Sequence, residues 1–322
     1  MKNYKPIIIV AGEPNSIFLE IFFKSIKRKK ALSPIVLICS KKLLKLQMEY
    51  LGFKKKIRLL EIDKIKSYKL NNNFINLIDV EYDINRPFEK ISNKSKEYIK
   101  KSFSTAILLI KSNFSNKLIN GPISKKHFLN KNIPGITEFL SDKFHCKNTG
   151  MLIYNKELSV CPITTHIPLK LISNKISKKL IINKVKLINF FYKKKFNINP
   201  KIAVLGLNPH CESRGNFNEE KKIIIPAINT LNKLKMKISG PYSADTIFMK
   251  NNRKKFNVIV GMYHDQVLTP LKTIFEYDAI NITMGLPFIR ISPDHGPNES
   301  MMAKNLSNPE SLIKAISFLD TR

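Results

Sequence analysis

The chain has 322 residues, 43% of them hydrophobic and 25% charged, a globular composition long enough to bury a large core and to form two domains. No apolar run reaches the roughly 18 residues of a membrane helix, and the stretch from Ile7 to Ala11 is too short for a signal-peptide core, so a cytoplasmic address without membrane contact is expected. The formal net charge of +32 would draw anions of every size, and it sets a nucleic-acid partner against a merely lysine-rich surface.

In chain order, apolar strand-like runs alternate with lysine-rich helical stretches. Lys5 to Ala11 reads as a strand and Ile17 to Lys30 as a helix. Pro34 to Cys39 is a strand, Lys41 to Leu51 a helix, Phe74 to Val80 a strand and Lys94 to Lys111 a helix. Further strands are expected at Ser159 to Thr164, Ile202 to Leu207 and Val258 to Met262. Long helices are expected near Lys175 to Lys195, Glu219 to Leu234 and Asn298 to Leu319. This alternation predicts an α/β protein with largely parallel sheets. No repeat, heptad or low-complexity linker marks a boundary.

The lysines are spread along the chain, as at 27–30, 54–56 and 193–195, and no nucleic-acid module accompanies them. Glycine, at 11 residues, is near half its usual ~7% share, while lysine, asparagine and isoleucine are inflated. A compositional bias at solvated positions accounts for the charge, and no specific nucleic-acid partner is expected. The four cysteines, Cys39, Cys146, Cys161 and Cys211, form no CxxC pair and read as reduced thiols.

Polar clusters follow three of the strands: Thr164-Thr165-His166, Asn208-Pro209-His210 and Tyr263-His264-Asp265. Ligands of open α/β sheets bind beyond the carboxyl ends of strands. Three of the six histidines at such places fit either a divalent metal with open positions for substrate oxygens or separate structural roles. Lys272 and Arg290 stand among apolar residues, where a charge needs an anionic ligand or an acid such as Asp265, Glu276 or Asp294. Thr137 and Glu138, after Pro134-Gly135, would either cap a helix or meet phosphate oxygens. There is no GxGxxG and no Walker A loop, so a dinucleotide would not be held in the ordinary Rossmann manner.

Taken together, the segments Gly12-Glu13-Pro14, Asn120-Gly121-Pro122-Ile123-Ser124-Lys125, Gly135-Ile136-Thr137-Glu138-Phe139, Thr165-His166-Ile167-Pro168-Leu169, Gly206-Leu207-Asn208-Pro209-His210, Gly240-Pro241 with Ala244-Asp245-Thr246, Tyr263-His264-Asp265-Gln266 and Asn281 through Gly296 resemble the 4-hydroxythreonine-4-phosphate dehydrogenase family of vitamin B6 biosynthesis. They stand in that family's order across nearly the whole chain. The resemblance implies two αβα domains with a cleft between them, similar to isocitrate and isopropylmalate dehydrogenases. Its boundaries would place 1–118 plus 266–322 in the cofactor-side domain and 119–265 in the metal and dimer side. It implies a homodimer, a divalent metal (zinc, magnesium, manganese or cobalt) on His166, His210 and His264, and a phosphorylated substrate at Ile136, Thr137, Lys272, Asn281 and Arg290. It implies NAD or NADP near Asp294, His295, Gly296 and Asn298. The implied reaction is oxidation of the 3-hydroxyl of 4-phosphooxy-threonine followed by decarboxylation. Asp245 and Lys125 are candidates for the general base by position alone.

The chain departs from the family pattern in places. Ile136 replaces a histidine, Asn15-Ser16-Ile17-Phe18 replaces a loop with two more glycines, and 211–215 and 297–300 are altered loops. These bear on the cofactor contacts and on the substrate. A threonate or erythronate 4-phosphate is therefore an alternative substrate. A basic nucleic-acid-binding protein on a degenerate scaffold is the alternative of another class.

Overall fold

The computed structural model describes residues 4–124, 135–212, 218–293 and 296–321. The chain folds as mixed α/β in two compact units, Met1–Phe144 with Leu286–Arg322, and His145–Gly285. The crossings fall later than the boundaries at 118/119 and 265/266 drawn from the sequence. Phe139 packs on Phe103 with ring centroids 6.0 Å apart, and Phe144 on Phe288 at 4.8 Å, which ties the segment after residue 118 to the first unit. Val267, Leu268 and Leu271 belong to the core of the second unit, which keeps the segment after residue 265 there.

In the first unit, β1 (Ile7–Val10), β2 (Ile35–Cys39), β3 (Ile57–Leu59), β4 (Ile75–Asp79), β5 (Lys117–Asn120) and β12 (Ile289–Pro293) pair in the order β3-β4-β2-β1-β5-β12, all parallel. Strands β1 and β2 are buried along their whole length, which is why they read as continuous apolar runs rather than alternating ones. Helices α1 (Phe18–Arg28), α2 (Lys41–Tyr50), α3 (Ser95–Lys111), α4 (Ile136–Lys143) and α8 (Glu310–Leu319) complete the unit. The Ser40 side chain caps α2 by accepting from Leu43 N at 3.3 Å. Phe18, Phe22 and Phe103 are fully buried in the core.

Two glycines in this unit are required by close approach. Gly12, at φ 79°, would place a Cβ 2.3 Å from the Pro122 carbonyl oxygen, and Gly121 would place one 2.1 Å from that of Ala11. The turns after β1 and β5 therefore lie against each other, with Glu13 N donating to Pro122 O at 2.8 Å.

The second unit holds β6 (Gly150–Tyr154), β7 (Ser159–Pro162), β8 (Ile202–Leu205), β9 (Ile238–Tyr242), β10 (Val258–Gly261) and β11 (Ile280–Met284), ordered β11-β6-β7-β10-β8-β9. Strands β7, β10, β8 and β9 are parallel, whereas β6 runs antiparallel to both β7 and β11. Helices α5 (Lys178–Phe196), α6 (Ile225–Lys233) and α7 (His264–Phe275) lie in this unit, the first capped by Ser177 and ended by Asn197 in the left-handed region. No described helix is long and apolar enough to cross a membrane.

The helix expected from Asn298 to Leu319 is much shorter. It begins at Glu310, and Asn298, Ala303 and Asn305 before it have positive φ, a conformation that an α-helix does not accept.

Candidate active site

In the second unit, three turns carry the predicted metal ligands. His166 lies after β7, His210 after β8, and His264 opens α7 just after β10. His166 and His210 sit at φ 48° and 54°, conformations that non-glycine residues hold only when their surroundings over-determine them. The surroundings do so by hydrogen bonds that span the turns. Thr164 Oγ1 donates to Met262 O at 2.7 Å, tying the His166 turn to the end of β10. Buried Gln266 accepts from Met262 N at 2.7 Å and donates to Gly206 O at 2.8 Å, tying the His264 turn to the His210 turn. Buried Glu220 accepts from Leu207 N at 2.9 Å and Asn208 N at 2.8 Å. Burial alone would raise the Glu220 carboxyl, but the hydrogen bonds from Asn208 and Leu207 outweigh it and hold the group below its ordinary value. Glu220 and Gln266 are positioning residues; Glu220 carries no motif signal, and Gln266 was visible only as the fourth letter of Tyr-His-Asp-Gln.

The rings of His166 and His264 lie 5.6 Å apart. His264 Nδ1 is 2.6 Å from Asp265 Oδ1, and His210 Nδ1 is 3.8 Å from Asp245 Oδ2. The structure thus pairs His166 with His264 and His210 with Asp245. Among the described residues no group of three or more His, Cys, Asp or Glu side chains is drawn together tightly enough to hold a metal ion. As a donor set, imidazoles with nearby carboxylates at the strand ends of one unit suit a divalent cation. His166 and His210 are exposed and His264 is half-buried. Asp245 accepts from Ser243 Oγ, and this bond holds its carboxyl below the usual range, so it stays ionised and is a weak base. Lys272 projects from α7 into solvent, not into the apolar setting expected, because the buried face of that helix is taken by Val267, Leu268 and Leu271. Asn281 is half-buried on β11.

The first unit holds the other predicted contacts. Arg290, on β12, is 5% exposed. Its Nε donates to Asn120 Oδ1 at 2.7 Å, and its Nη1 donates to Thr137 Oγ1 at 3.3 Å. Burial pushes the guanidinium down to about 10, countered in part by Glu138, so it carries its charge throughout the neutral range. A group kept charged at this cost favours an anion beside it. Thr137 is therefore engaged by Arg290 and does not cap α4, whose start at Gly135 has no side-chain cap. Ile136 is 6% exposed and turns its side chain into the core.

Along the predicted cofactor loop, Gly296 and Asn298 are exposed, and Pro297 O accepts from Ile17 N at 3.2 Å. A Cβ at Gly296 would meet nothing within 4 Å among the described residues. Asp294, His295 and Lys125 lie outside the described residues. The side chains at 16 and 18, where the resemblance implies glycine, are absorbed locally. Ser16 Oγ donates to Glu13 O at 2.7 Å and accepts from Phe18 N, while Phe18 is buried beside Gly121.

The family model described as pyridoxal phosphate biosynthetic protein PdxA matches residues 30–319. A 4-hydroxythreonine-4-phosphate dehydrogenase of Sulfurihydrogenibium sp. (strain YO3AOP1) is 39% identical over 317 residues, covering 96% of each chain. A D-threonate 4-phosphate dehydrogenase of Salmonella typhimurium is 30% identical, covering 97% of each. The crystal structure of 4-hydroxythreonine-4-phosphate dehydrogenase from Klebsiella pneumoniae superposes with a TM-score of 0.84 at 27% identity, over 98% of this chain and 97% of that one.

Proposed function

The chain belongs to the PdxA family of 4-hydroxythreonine-4-phosphate dehydrogenases, which are oxidoreductases, and on that premise we propose that it oxidises the 3-hydroxyl of 4-phosphooxy-L-threonine with NAD and a divalent metal. The product, 2-amino-3-oxo-4-phosphooxybutanoate, then loses carbon dioxide to give 3-amino-2-oxopropyl phosphate. The observation that carries this reading is Arg290, buried, charged and hydrogen-bonded to Asn120 and Thr137.

Arg290 and Thr137 bind an anionic end of the substrate, with the planar guanidinium suited to two oxygens of a phosphate or carboxylate. Lys272, on its flexible stem, neutralises an anionic group, and Asn281 supplies a polar contact. His166, His210 and His264 hold the divalent cation, zinc, magnesium, manganese or cobalt. When bound, that cation supplies Lewis-acid polarisation of a hydroxyl or carbonyl oxygen. Asp245 Oδ2, 3.8 Å from His210 Nδ1, adds negative charge beside the cation. Gly296 and Asn298 would contact NAD or NADP, which when bound would supply the hydride acceptor; Asp294 and His295 as further cofactor contacts and Lys125 as a base remain candidates outside the described residues. The working form is a cytoplasmic homodimer without a specific nucleic-acid partner.

A second reading rests on Ile136. Where the family places histidine, this chain buries an apolar side chain, which removes a polar substrate contact and suits threonate or erythronate 4-phosphate. Purified protein given NAD, divalent metal and 4-phosphooxy-L-threonine is expected to form NADH, and a chelator to stop it. NADH from threonate 4-phosphate alone would transfer the protein to the second reading. No NADH from either, with metal bound, would sink both.

A further inference from the structure

The first unit contains a cavity that plays no part in the chemistry above. It opens at the amino-terminal edge of the sheet, where β2 begins at Ile35 and β4 at Ile75, whereas Asn120 ends β5 at the carboxyl-terminal edge. Its volume is about 680 Å³, and small-molecule sites span roughly 300–1,000 Å³. Phe22, Ile35 and Leu37, all buried, form part of an apolar floor. Lys27, Lys29, Lys30 and Lys55 stand around it, and no carboxylate lines it among the described residues. The favourable interaction of a cation with a helix C-terminus accounts for Lys27, in the last turn of α1, but not for Lys30 or Lys55.

The walls are built rather than incidental. Asn72 accepts from Ile35 N at 2.8 Å and donates to Ala31 O at 2.8 Å and Ser33 O at 2.9 Å, holding the entry to β2 against the entry to β4. Asn76, fully buried, donates to Ile35 O at 3.0 Å and Asn71 O at 2.8 Å. Its Oδ1 is buried without a hydrogen-bond partner. Such an orphaned acceptor is uncommon in native proteins.

We propose that this cavity is a second ligand site, taking a small amphipathic anion. The apolar body rests on the floor, the phosphate, sulfonate or carboxylate meets the lysines, and an N–H or O–H on the body donates to Asn76 Oδ1. This chemistry is independent of the dehydrogenase site.

The probe is 8-anilinonaphthalene-1-sulfonate, which carries an apolar body, an N–H and an anionic group, titrated by fluorescence into the full-length protein. Saturable binding at one site per chain is expected. The double variant Lys27→Glu, Lys55→Glu should weaken it about tenfold or more. The same reversal at Lys193 and Lys194, on α5, should leave it unchanged. The ether analogue 8-phenoxynaphthalene-1-sulfonate, which lacks the N–H, should bind about fivefold more weakly. Dehydrogenase turnover should be the same in the Lys27, Lys55 variant as in the parent, which separates this site from the proposed activity. Unsaturable binding, or equal losses in the two double variants, would mean general attraction to a basic surface and overturn the proposal. Equal binding of the ether would remove Asn76 from it.

Discussion

The two units hold their candidate functional side chains in opposite ways. In the first, Arg290 is buried, bonded to two neighbours from other elements, and fixed before any ligand arrives. In the second, the three histidines project from turns into or near solvent, and the rigidity lies beneath them, in Thr164, Gln266 and Glu220 bonding the turns to one another. The difference teaches what each site must do. An anion is gripped best by a charge whose geometry and desolvation are settled in advance. On the proposed reading, a metal site made of side chains at the surface would depend on the preorganised backbone beneath them.

The largest effect should come from the exposed histidines. His210→Ala is expected to abolish metal-dependent turnover, while the melting transition moves by no more than about 0.5 kcal/mol in stability. Turnover at the parent rate would remove His210 from the ligand set, and loss of folding would erase the contrast with the first unit. Next, Arg290→Ala should lower kcat/KM about a hundredfold or more, with the substrate KM rising far more than that for NAD. Arg290→Lys should recover little, since an ammonium cannot reproduce the planar fork. Equal changes in both KM values would argue against a grip specific to substrate.

The first unit also buries Glu13, 1% exposed, with Ser95 Oγ donating to it at 3.0 Å. Burial raises its carboxyl from 4.5 to about 7, with Glu299 adding to the rise against the bonds from Ser95 and Asn15. Between those values the folded chain binds the proton and the unfolded chain does not. Glu13 therefore supports the fold fully below about pH 4.5, and that support is lost as pH rises through about 7. Glu13→Gln should gain on the parent by at most about 3 kcal/mol between pH 5 and 8, read by denaturant unfolding. A constant difference across that range would mean that Glu13 does not titrate there. The smallest change tests the turns of the second unit. Gln266→Ala leaves Met262 N–H and Gly206 C=O without their partner and should cost about 1–3 kcal/mol, with metal affinity falling by more than stability. Unaltered metal affinity would show that the histidines do not depend on that hydrogen bond.

Sequence alone determined the strands and helices whose reasons are local. The apolar runs of β1, β2 and β4 and the spacing of α1, α2 and α3 were readable because a buried parallel strand and an amphipathic helix each write their period into neighbouring residues. The order of the short motifs was enough to place the chain in its family and to put three histidines just past strands. Other features were decided only by tertiary structure, because they depend on residues far apart in the chain. Arg290 is paired with Asn120, 170 positions away, and its burial follows from that packing. Lys272, read from equally apolar neighbours, points to solvent, since which face of α7 is covered depends on what packs against it. The helix foreseen from Asn298 shrank to Glu310–Leu319 because the turns before it follow the surface rather than their own propensity. Burial, charge and hydrogen bonding at a site are properties of a neighbourhood, and a neighbourhood exists only once the chain has folded.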